Sequence, residues 1–171
     1  MEENVILVDD NDEIVGVGEK LETHLKGNLH RAFSIFIFNQ HGEVLLQKRA
    51  STKYHSGNLW SNTCCGHPRP SETTREAANR RLKEEMGINC ELKEAFSFIY
   101  RVELDKGLFE HEYDYVFVGN FNGTPLPDPS EVSDWVWVDL DTLKKSIDAN
   151  PSDYTYWLLI SIDRIASLLD H

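Results

Sequence analysis

Apolar and polar positions divide the chain into short strand-like runs, one long helical repeat near the middle and another at the end. Residues 5–8 and 14–17 are apolar runs around Asp9-Asp10-Asn11-Asp12 and predict two short strands about a turn. Residues 19–28 are polar and predict an irregular segment. Residues 32–38 are mostly apolar, Asn39-Gln40-His41-Gly42 turns, and 44–47 returns, which predicts a hairpin with a buried face. Past residue 73 the period becomes helical, with Ala77, Ala78, Leu82 and Met86 in a narrow apolar stripe. Ser71 or Thr73 can cap that helix, Glu72 and Glu76 suit its positive end, and Gly87 ends it. In the loop before it, Gly66 offers backbone freedom while Pro68 and Pro70 keep the chain extended. Segments 94–102 and 109–117 predict strands joined by a turn at 104–107, followed by a Pro-rich loop at 122–130 and a strand at 134–139. Asp139 caps a short helix to about 146, and Pro151 precedes a last helix over 152–169 whose apolar face includes Trp157, Ile160 and Ile165. The pattern as a whole is α/β (α+β), a mixed sheet with helices packed on it.

Composition narrows the function. A chain of 171 residues predicts one domain spanning 1–171. A net charge of -12 argues against nonspecific binding to nucleic acid or to an anionic membrane surface. A phosphorylated substrate would then need a local basic pocket, and Lys48-Arg49-Ala50-Ser51-Thr52-Lys53 is the patch that offers one; by itself it reads equally as a solvated loop. Three cysteines, two of them adjacent, make no disulfide framework, so a reducing, cytoplasmic setting is expected. Met1-Glu2-Glu3-Asn4 has no signal-peptide shape, and no apolar run approaches the ~18 residues of a membrane helix.

Four features carry candidate chemistry. His24 lies in the polar segment and His30 follows it just before a strand; alone, they read as exposed loop residues. Phe109 to Phe117 reads F-E-H-E-Y-D-Y-V-F, and strand alternation puts Glu110, Glu112 and Asp114 on one face and His111 on the other. Carboxylates so arranged repel one another unless a cation lies among them or solvent screens them, and the pattern leaves both open. Arg81 and Glu85 share a helix face, four residues apart; the alternative for this helix is a surface ladder such as Glu76-Arg80-Glu84. Finally, Cys64 and Cys65 precede Gly66-His67, and their side chains point to opposite faces if the segment is extended.

The spacing Gly66, Glu72, Arg80-Arg81-Leu82, Glu84-Glu85, Gly87-Ile88 resembles the Nudix box, with Arg81 where that box carries a Glu. His24, the H-R-A-F-S run at His30, the N-T-C-C-G-H loop, Tyr100 and the E-H-E strand are together similar to the type I isopentenyl-diphosphate isomerases of that superfamily. The resemblance covers nearly the whole chain. It implies a Nudix-type mixed sheet sandwiched by helices, and an enzyme that shifts a double bond between isopentenyl and dimethylallyl diphosphate through a tertiary carbocation. It implies that His24, His30, His67, Glu110 and Glu112 bind one divalent ion (Mn²⁺, Zn²⁺ or Mg²⁺). The Cys65 carbonyl and Glu85 would hold a Mg²⁺ with the diphosphate, and Arg49, Lys53 and Arg81 would neutralise it. Cys65 and Glu112 would be the acid and base, with Tyr100 assisting Glu112. Trp157, and Trp60 as a second candidate, would face the cation. A thiol of ordinary pKa about 8.5 is expected to be drawn toward working pH by neighbouring charge. No redox step is involved and no G-x-G-x-x-G is present, so neither flavin nor nicotinamide is expected. Two other classes fit parts of the pattern: a nucleoside-diphosphate hydrolase using the same helix, and a non-catalytic diphosphate-binding module.

Overall fold

The mostly apolar run at 32–38 is the centre of the molecule, and apolar residues fill successive positions because both of its faces are buried. In the computed structural model, which describes residues 3–169, the order is β1 (Asn4–Val8), β2 (Ile14–Glu19), α1 (Lys20–Lys26), β3 (His30–Phe38), β4 (Val44–Arg49), β5 (Trp60–Ser61), β6 (Cys64–Gly66), α2 (Thr74–Met86), β7 (Leu92–Glu103), β8 (Phe109–Asn120), β9 (Val132–Val138), α3 (Leu140–Ala149) and α4 (Tyr156–Leu169). On one face of β3, Phe33, Ile35 and Ile37 pack with Ala77, Ala78, Leu82 and Met86 of α2. On the other, Phe36 and Phe38 pack with Leu143 of α3 and Leu158 and Ile162 of α4. The result is the expected mixed sheet with helices on both faces.

The hairpin forms but does not stay closed. Phe38 pairs with Val44, after which β4 leaves to pair with β9 and β5. Along one edge, β3 is therefore met in turn by β1 at His30, by β6 at 33–35 and by β4 at Phe38. Along its other edge it runs parallel to β8 over its whole length, and β8 pairs antiparallel with β7. This splay opens the sheet and leaves room for a pocket beside β6.

Three expectations are corrected. The segment at 19–28 is not irregular: Glu19 accepts from the N–H groups of Leu21 and Glu22, α1 follows, and Gly27 closes it at φ 70°. Seven residues are too few for an isolated helix, so capping and packing on β8 maintain it. The last helix starts at Tyr156, because Pro151–Asp153 forms a tight turn first. Its buried face carries Trp157, Leu158, Ser161, Ile162 and Ile165, whereas Ile160 is exposed. Gly66 is needed for proximity rather than for freedom: a Cβ there would lie 2.8 Å from the Phe33 ring.

The central helix matches its reading closely. Thr73 rather than Ser71 caps it, and Thr73 with Glu76 forms a reciprocal capping box, worth about 1 kcal/mol or somewhat more. Gly87 ends it at φ 65°. The ladder is different: Arg80 grips Glu72 at 2.7 and 2.8 Å and reaches Glu84 at 3.4 Å, so it braces the incoming loop rather than Glu76.

Candidate active site and metal centre

Register decides which residues meet. In the β3–β8 ladder His30 lies opposite Glu112, and in the β7–β8 ladder Tyr100 lies opposite Glu112. One carboxylate on a central strand is thus flanked by an imidazole and a phenol. Alternation along β8 buries Glu110, Glu112 and Asp114 and turns His111 away to the Gly27 carbonyl. The solvent-screened alternative for this strand face is gone.

His24 reaches the same place from α1, His30 from β3 and His67 from the end of β6. One nitrogen or oxygen from each of His24, His30, His67, Glu110 and Glu112 lies within 4.8 Å of all the others. His24 and His30 are fully buried, so the exposed-loop reading of both is overturned. Their Nδ1 atoms face the carbonyls of Lys20 at 2.7 Å and Asn28 at 2.9 Å. A carbonyl only accepts, so each Nδ1 carries the hydrogen and each Nε2 turns a lone pair inward. His30 Nε2 and Glu110 Oε2 are buried without a hydrogen-bond partner. Two carboxylates and three imidazoles converging on one point, two of their inward atoms without a partner, fit a divalent cation, which would supply the partner that His30 Nε2 and Glu110 Oε2 lack.

The electrostatics agree. Burial pushes the His67 imidazole down to about 3, so it is neutral and able to ligate. Burial works against charge on His30 as well, but Glu112 and Glu110 outweigh it and raise its value. Burial alone would raise Glu110 and Glu112; the nearby His24 and His55 rings hold Glu110 far below the usual range, and the His30 and His67 rings hold Glu112 lower despite repulsion from Glu110.

A cavity of about 620 Å³ opens beside this cluster. Its wall includes Cys65, Glu112 and Trp157, together with Arg49, Lys53 and Arg81. Cys64 and Cys65 point to opposite faces, as the extended backbone requires: Cys64 is fully buried and donates to Glu85 Oε2 at 2.8 Å, while Cys65 looks into the cavity. The Cys65 thiol is not drawn toward neutrality as expected. Burial, with the neighbouring Asp114 charge, pushes it up to about 12, so it rests as S–H. Tyr100 donates to Glu112 Oε1 and is itself raised by burial.

Two of the three expected diphosphate ligands, Lys53 and Arg81, hold counter-ions already. Arg81 bonds Glu84 at 2.7 Å and Glu85 at 2.9 Å, and Lys53 pairs with Glu131 and lies 3.6 Å from Glu85. Arg49 is buried, with its guanidinium 5.3 Å from the Trp157 ring centre and its Nε without a partner. Trp157 is buried on the cavity wall, whereas Trp60 packs half-buried against the α3–α4 side of the core and does not line the cavity.

Several functional neighbours escaped the sequence reading. His55 bonds Glu110 Oε1 at 2.8 Å and is held on its other nitrogen by Ser56. Tyr54 reaches His24 Nε2 at 3.0 Å. Ser34 donates to Asp114 at 2.7 Å, 3.8 Å from the Cys65 sulfur. None stands in a periodic pattern; the only signal was their nearness in sequence to the basic patch or to the strands carrying ligands.

Comparison with known proteins locates the chain. The NUDIX domain pattern matches residues 28–158. A protein of Aromatoleum aromaticum named isopentenyl-diphosphate Delta-isomerase 2 is 54% identical over 98% of this chain and 88% of its own length. A protein of Burkholderia multivorans named isopentenyl-diphosphate Delta-isomerase is 51% identical over 96% of this chain and 93% of its own. Among solved structures, a Deinococcus radiodurans protein aligns over 95% of this chain and 98% of its own with a TM-score of 0.80 at 20% identity, a likeness of fold.

Proposed function

Starting from the fact that the chain belongs to the NUDIX family and, within it, to the isopentenyl-diphosphate Delta-isomerases, we propose how its residues divide the work of interconverting isopentenyl and dimethylallyl diphosphate. The observation that carries the reading is one cavity lined by Cys65 and Glu112 together with Arg49, Lys53 and Arg81. The chain is read as one domain over 1–171 acting in the cytoplasm, and no helix among the described residues is long and apolar enough to cross a membrane.

The reaction moves a double bond by one carbon and balances without an oxidant. The alkene π pair takes a proton at the terminal CH₂, which leaves a tertiary cation. The bonding pair of a C–H on the adjacent methylene then becomes the new double bond as that proton leaves. Two groups must therefore exchange protons with the substrate, and the cation between them must be kept from water. Cys65 rests as a neutral thiol and Glu112 as a carboxylate, which supports Cys65 as donor and Glu112 as acceptor toward dimethylallyl diphosphate, with roles reversed in return. The Tyr100 hydroxyl fixes the orientation of Glu112. The Trp157 ring offers a π face to the cation.

His24, His30, His67, Glu110 and Glu112 would hold a divalent ion, Mn²⁺, Mg²⁺ or Zn²⁺ by the chemistry of the donor set. When bound, that ion supplies fixed positive charge that keeps Glu112 ionised and oriented. Arg49, Lys53 and Arg81 bind the diphosphate, and Glu85 with the Cys65 carbonyl would hold a Mg²⁺ that accompanies it. Arg81 suits that task better than the Glu of the usual box, since a guanidinium forks onto phosphate oxygens.

The deciding experiment incubates the metal-loaded protein with isopentenyl diphosphate and, separately, with a panel of nucleoside diphosphates. Conversion to dimethylallyl diphosphate is expected, without flavin or nicotinamide. Release of phosphate from nucleotides with no isomerisation would overturn the reading in favour of hydrolysis.

A further inference from the structure

Asn62 is fully buried between β5 and β6, and every polar atom of its side chain is committed. Its Nδ2 donates to the carbonyls of Ile35 and Cys64, both at 3.0 Å. Its Oδ1 accepts from three donors: the Ser61 hydroxyl at 2.8 Å, the Cys65 thiol at 3.1 Å and the Trp157 indole N–H at 3.1 Å. The opposite amide orientation would set an NH₂ among three donors and an oxygen against two carbonyls, so the orientation is fixed by its partners. An Asp in this place would lack both donors and add a charge to a region that already buries Asp114 and Glu112.

We propose that Asn62 is a positioning residue for the isomerase reaction: its amide oxygen ties the Cys65 thiol and the Trp157 indole to one point, fixing the proton-exchanging sulfur relative to the π face. The inference rests on the reading of Cys65 and Trp157 given above and deepens it. The two side chains come from distant parts of the sequence, β6 and α4, and share no other acceptor. Ser61 extends the tie, accepting from the indole at 2.9 Å and bonding Thr155 at 3.0 Å. With its S–H aimed at Oδ1, the sulfur has one preferred rotamer. A neutral amide can hold that proton without taking it, so the thiol stays available to the substrate. Since the cation forms beside both groups, a shift of the sulfur changes a proton-transfer distance and a shift of the indole changes the stabilising contact.

The test uses the metal-loaded protein and two variants, Asn62→Ala and Asn62→Asp. Infrared spectra resolve thiol S–H bands, Cys65→Ala identifies the Cys65 band, and the Cys64 band, set by Glu85, serves as an internal reference. In Asn62→Ala the Cys65 band is expected to move to higher wavenumber while the Cys64 band stays. The kcat should fall about 10–100-fold, the scale on which a misplacement near 1 Å acts, with KM within about threefold and metal content retained. Asn62→Asp keeps an acceptor oxygen but makes it charged, so the Cys65 band should move the opposite way, to lower wavenumber, and kcat should fall as well. A Cys65 band unmoved in Asn62→Ala, or kcat lost only together with bound metal, overturns the proposal. If neither variant folds, Trp157→Phe decides, since it keeps a ring and removes one donor from Oδ1: a shifted Cys65 band supports the tie and an unshifted one overturns it. Absence of isomerisation in the unaltered protein would overturn the functional reading instead, and the infrared result would stand apart from it.

Discussion

Two charged clusters flank Cys65, and they are built on opposite principles. The histidine-carboxylate cluster is deeply buried, and His30 Nε2 and Glu110 Oε2 have no hydrogen-bond partner. The Lys53–Arg81 cluster is about one-fifth exposed, and its cations are already met by Glu84, Glu85 and Glu131. The first presents donors that converge without satisfying one another, and the second presents cations whose charge is already balanced by neighbouring carboxylates. Burying an unpaired charge costs several kcal/mol, so a deep cluster of carboxylates is tolerable where imidazoles that can stay neutral or share a proton surround it. Nearer to solvent, temporary ion pairs cost little and dissociate easily.

The comparison is sharpened most by a residue belonging to neither cluster. Cys65→Ala should lower turnover by about 10²–10⁴-fold while metal content and melting temperature stay near those of the unaltered protein. Cys64→Ala should keep most activity, because that thiol faces Glu85 on the other side of the strand. Two active single mutants would show that the clusters suffice without a thiol.

His67→Ala tests the buried cluster. Loss of an outer hydrogen-bonding partner typically costs about 10–100-fold in metal affinity, and loss of this imidazole should cost more. Metal analysis after dialysis should show the site depleted and activity lost with it; full occupancy would remove His67 from the ligand set.

Arg81→Glu tests the exposed cluster. Removing one partner of a close charge pair costs about 2–5 kcal/mol in binding, so KM should rise steeply while bound metal persists. Some stability should go as well, since Glu85 would lose its 2.9 Å partner. Unchanged substrate affinity would reduce Arg81 to a brace for the helix.

The smallest effect comes from Glu131→Gln. This removes the internal anion that occupies Lys53 and stands 3.4 Å from Arg81. Substrate should then bind more tightly, by up to about 1 kcal/mol, roughly fivefold, with turnover little changed. A higher KM would mean that Glu131 holds Lys53 in its working position rather than competing for it.

What the sequence determined by itself is whatever local geometry dictates. Capping chemistry and the 3.6-residue stripe marked α2, with its start at Ser71 or Thr73 and its end at Gly87. The two-residue period of β8 placed Glu110 and Glu112 together and sent His111 away, and the same period separated Cys65 from Cys64. Tertiary structure decided what depends on strands far apart in the chain. Parallel pairing of β3 with β8 set His30 against Glu112, a register that no run of either strand contains. Packing on β8 turned a polar segment into α1 and carried His24 inward. Burial beside Asp114 kept the Cys65 thiol protonated, where the sequence suggested only a reactive cysteine. Periodicity reports which way a side chain points relative to its neighbours in the chain, whereas hydrogen-bond partners and desolvation depend on what the fold brings opposite it.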